Sequence, residues 1–447
     1  MDTVVNSIID LSKNVRKNGI SSEDREELKK RIADITVTSY GAFYSDPVQI
    51  GMKTLLPSAG KNNATVFFTG HKASVDIAAF LNGTMTRYLD YNDTYLSKEA
   101  LHPSDNIPPL IGMAEGGSYS GKDILDGAAV SYEVVCGLSD AVSIRDRGWD
   151  HVTYVSISSA AGLAHLLELD EERYAHSLNL SINNNISMRQ TRAGELSMWK
   201  GATAANACRN SVFGTLLAKN GFTGPAPIFE GEMGFFKQVS GDMKPDFKKS
   251  KIRKTMIKNY PVEYHAMSAA EVASNLKKKI DGKIERIDVE TFTVANTIII
   301  KDPEKLRPKT RETADHSMPY IIAYTLTYGD PQPYSYDAKY LTDPEILGKI
   351  DMMNFKVTER FDKMYPEYLP VKITVKTDRG KFEEEMDAPK GHNKKPYTWD
   401  DVLAKATRMM GEDSARDVVS VANSFERRSP EELLEVMRNV QATRQHQ

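Results

Sequence analysis

The segment Tyr88-Leu89-Asp90-Tyr91-Asn92-Asp93-Thr94-Tyr95, followed shortly by His102-Pro103-Ser104-Asp105-Asn106, packs carboxylates, hydroxyls, amides and an imidazole into one stretch. This is the chemistry of a site rather than of a core, since histidine can exchange a proton near neutral pH. Taken singly, Asp90, Asn92 and Ser104 read as helix caps; their clustering with His102 favours function. A second concentration runs from Met188 to Gly201 and sets Arg189, Arg192 and Lys200 around Gly194, at the entry to an Ala-rich helix. Arginine forks grip carboxylates bidentately, lysine supplies a movable charge or proton, and a helix start favours anions. A solvated surface turn is the commoner fate of such charges, but the flanking Met188, Met198 and Trp199 tilt the reading towards a partly buried ligand site.

Two further segments carry polar groups. Lys258-Asn259-Tyr260-Pro261-Val262-Glu263-Tyr264-His265 lies where a helical texture gives way to a mixed one, and pockets favour such boundaries. In Thr313-Ala314-Asp315-His316-Ser317-Met318-Pro319-Tyr320, His316 could equally bond a helix carbonyl and Tyr320 could belong to the core. His71, His165 and His176 fall in helical patterns and read as structural, and His446 as part of a frayed tail. No spacing among the nine histidines matches a zinc motif.

The elements that must position these groups are mostly helices. Asp, Asn, Ser, Pro and His after the apolar run Asp76 to Leu81 end a helix and leave a loop, the usual seat of reactive groups on a rigid scaffold. Lys122 to Ile144 places Ile124, Leu125, Ala128, Tyr132, Val135, Cys136 and Leu138 on one broad face, and Glu171 to Ile186 and Lys200 to Lys219 show similar recurrences. After Lys279 the texture changes. Ile284 to Val294 and Thr297 to Ile300 predict strands, Val371 to Thr377 running through Gly380 predicts an exposed β-hairpin, and Arg311 to Thr327 predicts one helix capped by Thr310. Helices return at Thr398-Trp399-Asp400-Asp401 and at the capping box Ser429-Pro430-Glu431-Glu432. Together these predict a mainly α fold, in which an all-helical domain built from residues 1–262 and 393–447 receives an inserted α+β domain over residues 263–392.

Composition narrows the function classes. The 58 Lys and Arg against 61 Asp and Glu leave no basic bias that would suggest nucleic acid. No apolar run approaches the ~20 residues that span a bilayer, and the acidic, helical start is unlike a signal sequence, so a cytoplasmic protein is expected. The two cysteines, Cys136 and Cys208, lie in apolar helical patterns and read as small buried hydrophobes. They exclude a disulfide framework, and they cannot supply the three ligands of an iron–sulfur hydratase cluster. No metal site or cofactor is expected.

Taken together, Leu89 to Tyr95, His102 to Asn106, Gly148-Trp149-Asp150-His151, Met188 to Gly201, Ala314 to Tyr320 and Gly391-His392-Asn393 resemble the MmgE/PrpD family, on the side of its 2-methylcitrate dehydratases. The order and spacing of these segments cover most of the chain. The resemblance implies a helical domain with an α+β lid, a homodimer, and an active site in the cleft between the domains. Its active-site positions fall at Asp90, Thr94, His102, Lys200, Lys258, His265 and Tyr320. A further histidine falls at His151, with Asp150 the alternative there, and Ser104-Asp105 after His102-Pro103 resembles the dehydratase branch.

The activity implied is a cofactor-independent dehydration of 2-methylcitrate to a methylaconitate, as in propionate breakdown. Arg189, Arg192, Lys200 and Lys258 would neutralise and orient the three carboxylates. His102, oriented by Asp90, would transfer a proton, with Lys258, His265 or Tyr320 on the opposite side. Thr94, Ser104 and His151 would contact substrate. The nearest rivals are other polycarboxylate enzymes of the family: an aconitate-forming dehydratase, a cis-aconitate decarboxylase or an epimerase. A non-catalytic helical scaffold is a rival of another class, and it predicts no cleft where His102, Lys200 and His265 converge.

Overall fold

The computed structural model describes residues 2–60 and 63–445, with side chains through Gln441; His446 lies outside them. The helix Ser22–Ala42 begins where the Ser21 hydroxyl accepts from the Asp24 amide and is buried over most of its length. It packs against Val75–Tyr88, Gly121–Ala141, Trp399–Met410 and Glu412–Asn423. Helices from both ends of the sequence therefore share one core, in which Ile32, Leu81, Leu125, Val418 and Leu433 meet.

Val75–Tyr88 packs along Trp199–Lys219. A Cβ on Gly83 would stand 2.9 Å from the Ala205 methyl, and one on Gly201 would stand 3.0 Å from the Tyr88 Cα. Glycine at these two positions lets the backbones touch, and it brings the start of one helix, with Lys200, beside the end of the other, where Asp90 follows.

A separate apolar cluster, drawn from Met256 to Val375, surrounds a four-stranded sheet. Its order is Met353–Val357, Ile284–Thr291, Val371–Thr377, Gly380–Met386; the first pair is parallel and the others antiparallel. Alternation decides which face is inside: Ile287 and Val289 pair with Val375 and Ile373, and all four are buried. Each such side chain contributes roughly 1.5–3 kcal/mol. The Met267–Lys277 helix covers this face and packs on Met318–Tyr328.

Several expectations are corrected. Val371–Thr377 is an interior strand, paired on both sides and with alternate residues buried, so of the hairpin's two strands Gly380–Met386 alone lies at a sheet edge. Thr293–Ile299 is a short helix, since Asp362 accepts from the Thr293 amide and hydroxyl and turns the chain away from the sheet. The stretch after Thr310 is two helices, Arg311–Ala314 and Met318–Tyr328, broken at Asp315-His316-Ser317. His71 is exposed in a turn between two short strands rather than in a helix. No described helix is long and apolar enough to cross a membrane.

Candidate active site

One cleft collects side chains from six stretches of chain. Its walls include Arg87, Asp90, Thr94, Glu99, His102, Arg145, His151, Arg189, Arg192, Lys258, Glu263, His265, Lys305 and His316, with Ala100, Tyr264 and Ile298 as its less polar members.

Asp90 sits at the centre. The Val75–Tyr88 helix ends in a turn closed by the Asp90 amide on the Arg87 carbonyl, and Asp90 itself is left-handed at φ 50°. Aspartate is one of the few residues that tolerate this backbone. The turn folds the carboxylate back, so Arg87 donates to Asp90 Oδ1 at 2.8 Å and Lys258 Nζ donates to the same oxygen at 2.6 Å. Lys258 also donates to the carbonyls of Asp90 and Val262. Burial would raise the Asp90 carboxyl, but Arg87, Lys258, Lys200 and His316 outweigh it and hold it well below the usual carboxylate range. Asp90 is therefore a fixed negative charge.

Lys200 opens the Trp199–Lys219 helix and is 1% exposed. Its Nζ lies 2.8 and 2.9 Å from the two Asp315 oxygens, 3.3 Å from His316 Nδ1 and 3.7 Å from Asp90 Oδ2. Asp90, Asp315 and His316 are the one group among the described residues whose donor atoms converge as metal ligands would. The lysine ammonium sits among those same donors, so the chain itself supplies the cation that they attract.

His102 is fixed by its backbone contacts. Its Nδ1 lies 2.7 Å from the Asp93 carbonyl, which can only accept, so Nδ1 carries a proton and the neutral ring leaves its lone pair on Nε2. Nε2 is 3.8 Å from Asp90 Oδ1. Burial first, then the charges of Arg87 and Lys258, push this imidazole well below its ordinary value, so it stays neutral. The loop that carries it is held by Asp93, whose carboxylate accepts from the Ser104 amide and the Tyr132 hydroxyl.

His265 enters from the other side. Its Nδ1 donates to Glu263 Oε1 at 2.7 Å, and Nε2 lies 3.2 Å from the Tyr365 hydroxyl. Burial acts to raise Glu263, but His265 by charge and hydrogen bond brings it down to about 2, so this carboxylate is ionised. On the third side Arg192 Nε donates to Asp150 Oδ2 at 3.0 Å, and the His151 ring lies 6.1 Å from that of His102. His151 Nε2 and Arg192 Nη2 are buried without a hydrogen-bond partner. Two orphaned polar atoms beside one cleft are what a polar ligand would satisfy.

The structure thus brings Asp90, Thr94, His102, Lys258, His265, His151, Arg189 and Arg192 to one cleft. Lys200 stands behind its wall, in the Asp315 network. Ser104 holds the loop instead of facing the cleft: its hydroxyl accepts from Asn92 and its amide donates to Asp93. Tyr320 is also placed elsewhere. Its hydroxyl donates to the Ser335 carbonyl at 2.6 Å and its ring packs with Tyr324 and Tyr336, so a backbone acceptor and a tyrosine cluster claim it. Arg87, Glu99, Arg145 and Lys305 lie outside the segments singled out from the sequence, Glu263 falls within one of them without a role of its own, and Ile298 falls in a stretch expected to be a strand. Arg87 lies just before the polar run and follows the helix register; the Ser317-Met318-Pro319 helix start was the signal for the break that presents Asp315 and His316.

The MmgE/PrpD N-terminal domain matches residues 6–248 and the MmgE/PrpD C-terminal domain matches residues 260–424. The chain belongs to the MmgE/PrpD family. It is 28% identical over 364 residues, 75% of this chain and 69% of the relative, to the mitochondrial 2-methylcitrate dehydratase of Yarrowia lipolytica. It is 27% identical over 370 residues to the alkylcitrate dehydratase phiI of a fungal species, covering 74% of this chain and 72% of the relative. With the 2-methylcitrate dehydratase of Escherichia coli K12 it shares 28% identity over 344 residues, 70% of this chain and 71% of the relative. The chain is an enzyme of this dehydratase-like kind, a carbon–oxygen lyase by class.

Proposed function

We propose that this chain dehydrates 2-methylcitrate, or a close alkylcitrate, to the corresponding aconitate, using side chains alone. The observation that carries the reading is the charge of the cleft: Arg87, Arg145, Arg189, Arg192, Lys258 and Lys305 face it against Asp90, Glu99 and Glu263. A tricarboxylate supplies the missing negative charge, and Arg192 and His151 have atoms free to bind it. Ala100 and Ile298 suit an alkyl branch.

The reaction removes a weakly acidic proton next to a carboxylate, so charge grows on that carboxylate and needs cations aimed at it. His102 Nε2 takes the proton. The electron pair left behind forms the C=C bond as the C–O bond breaks, and the hydroxyl leaves as water with the Nε2 proton of His265, the ring acting as an imidazolium beside ionised Glu263. Asp90 holds Lys258 and Arg87 in place and faces His102. The α+β part, residues 263–392, acts as an inserted lid contributing His265, Ile298, Lys305 and His316. The same reading carries a role in propionate breakdown, a cytoplasmic location and a homodimer; light scattering in solution tests the last.

The test is a panel of 2-methylcitrate, citrate, cis-aconitate and malate, followed by absorbance of the unsaturated product. The reading expects turnover of the alkylcitrate above the others. Carbon dioxide release from cis-aconitate, or no turnover of any member, would overturn it.

A further inference from the structure

Lys405 belongs to the C-terminal helix Trp399–Met410, yet its side chain is 1% exposed and its ammonium reaches the back of the cleft. It donates to Asp34 Oδ1 at 2.6 Å, to the Tyr91 carbonyl at 2.9 Å and to the Lys258 carbonyl at 3.0 Å. It also lies 3.6 Å from the centre of the Tyr91 ring. The two carbonyls belong to the residue after Asp90 and to the residue that grips Asp90. Their segments run side by side, joined by the paired Thr94 and Met256 amides and carbonyls at 2.8 Å and by the Tyr91 hydroxyl on the Asn259 carbonyl.

We infer that Lys405 is a positioning residue, whose ammonium clamps the Asp90 segment to the Lys258 segment and so fixes the Asp90–Lys258 pair against His102. Three acceptors converging on one buried cation leave neither segment free to slide. The Asp34 bond alone would serve stability; the two carbonyl bonds tie that ion pair to the site. Lys405 does not itself line the cleft and acts through its neighbours. The kinetic part of this inference rests on the dehydratase reading above.

Two substitutions separate the clamp from the ion pair. Asp34→Asn removes the carboxylate charge but leaves Lys405 its two carbonyls and an amide oxygen, while Lys405→Met fills nearly the same volume and removes all three bonds. Each loses the buried pair and some stability. Lys405→Met is expected to lower kcat on 2-methylcitrate by roughly 10²-fold, as an error of about 1 Å in placement does, with KM little changed. Asp34→Asn is expected to keep kcat within a few-fold of the parent. Hydrogen exchange at the Thr94 and Met256 amides should quicken in Lys405→Met and not in Asp34→Asn. Where Lys405→Met alone does not fold, the double variant Asp34→Asn with Lys405→Met carries no unpaired charge and should show the same kcat and exchange defects. Equal kcat and equal exchange in the Lys405→Met and Asp34→Asn proteins would overturn the inference. If the parent turns over no tricarboxylate, the dehydratase reading falls, and the exchange contrast alone still decides whether Lys405 is the clamp.

Discussion

Replacing His102 by asparagine should separate its structural bond from its chemistry. The Asn amide can donate to the Asp93 carbonyl from nearly the position of Nδ1, which lies 2.7 Å from it, whereas nothing replaces Nε2. Loss of a proton-transfer group costs about 10²–10⁴-fold in kcat, or about 3–5 kcal/mol of barrier. Because the donor survives, folding stability should change by no more than ~1 kcal/mol. His102→Ala removes the donor as well, and the buried carbonyl left unpaired should cost a further ~1–3 kcal/mol of stability. Initial rates from product absorbance give kcat and KM, and urea unfolding gives stability. A His102→Asn protein that unfolds like the parent and keeps kcat within a few-fold would refute the base assignment and move proton transfer to His265 or His151.

Other outcomes follow from the same geometry. Lys200→Met should destabilise the fold by about 3–5 kcal/mol in urea, because it strands buried Asp315, rather than simply raising KM; a stable variant with only a raised KM would contradict the placement of Lys200 behind the wall. Burial pushes the Asp105 carboxyl up to about 7, with Asp93 adding and Arg87 opposing. The folded state thus holds a proton that the unfolded chain releases near pH 4, so the parent loses stability as pH rises from about 4 to 7, and Asp105→Asn should gain on it over that window by at most ~4 kcal/mol. Denaturation at pH 5 and pH 8 checks this, and a difference that does not grow with pH would count against it. Ile298→Ala should shift kcat/KM towards citrates with longer alkyl branches, by about 10-fold for one added methylene; an unchanged ratio between 2-methylcitrate and a longer homologue would remove Ile298 from the specificity wall.

Much of the site was legible because its residues contradict their surroundings. Asp90, His102 and Arg192 sit in polar runs between apolar helices, and the cost of burying such groups without partners makes a shared cleft the natural destination. Their partners were harder to see. Arg87 keeps its helix register, and Glu99, Arg145 and Lys305 lie outside the polar segments that stand out in the sequence. Arg87 is aimed by Asp90 three residues on, while Glu99 accepts from the Arg145 amide 46 residues away, a pairing no local reading reveals. Tyr320 misled because a tyrosine on a polar segment is equally at home in a cluster of its own kind. Thr293–Ile299 misled because β-branched residues favour strands only while a sheet edge is offered to them, and Asp362 caps the chain into a helix first. The two-part helical core was readable since its amphipathic faces need no knowledge of the site.

The ammonium among Asp90, Asp315 and His316 has a consequence of supply. A cationic group carried on a side chain comes with the chain itself, at unit stoichiometry. The cost of drying that charge is met once, when the helix that begins at Trp199 docks beside Tyr88, and not anew at each encounter with a small molecule. Loading and folding are therefore a single event at this position.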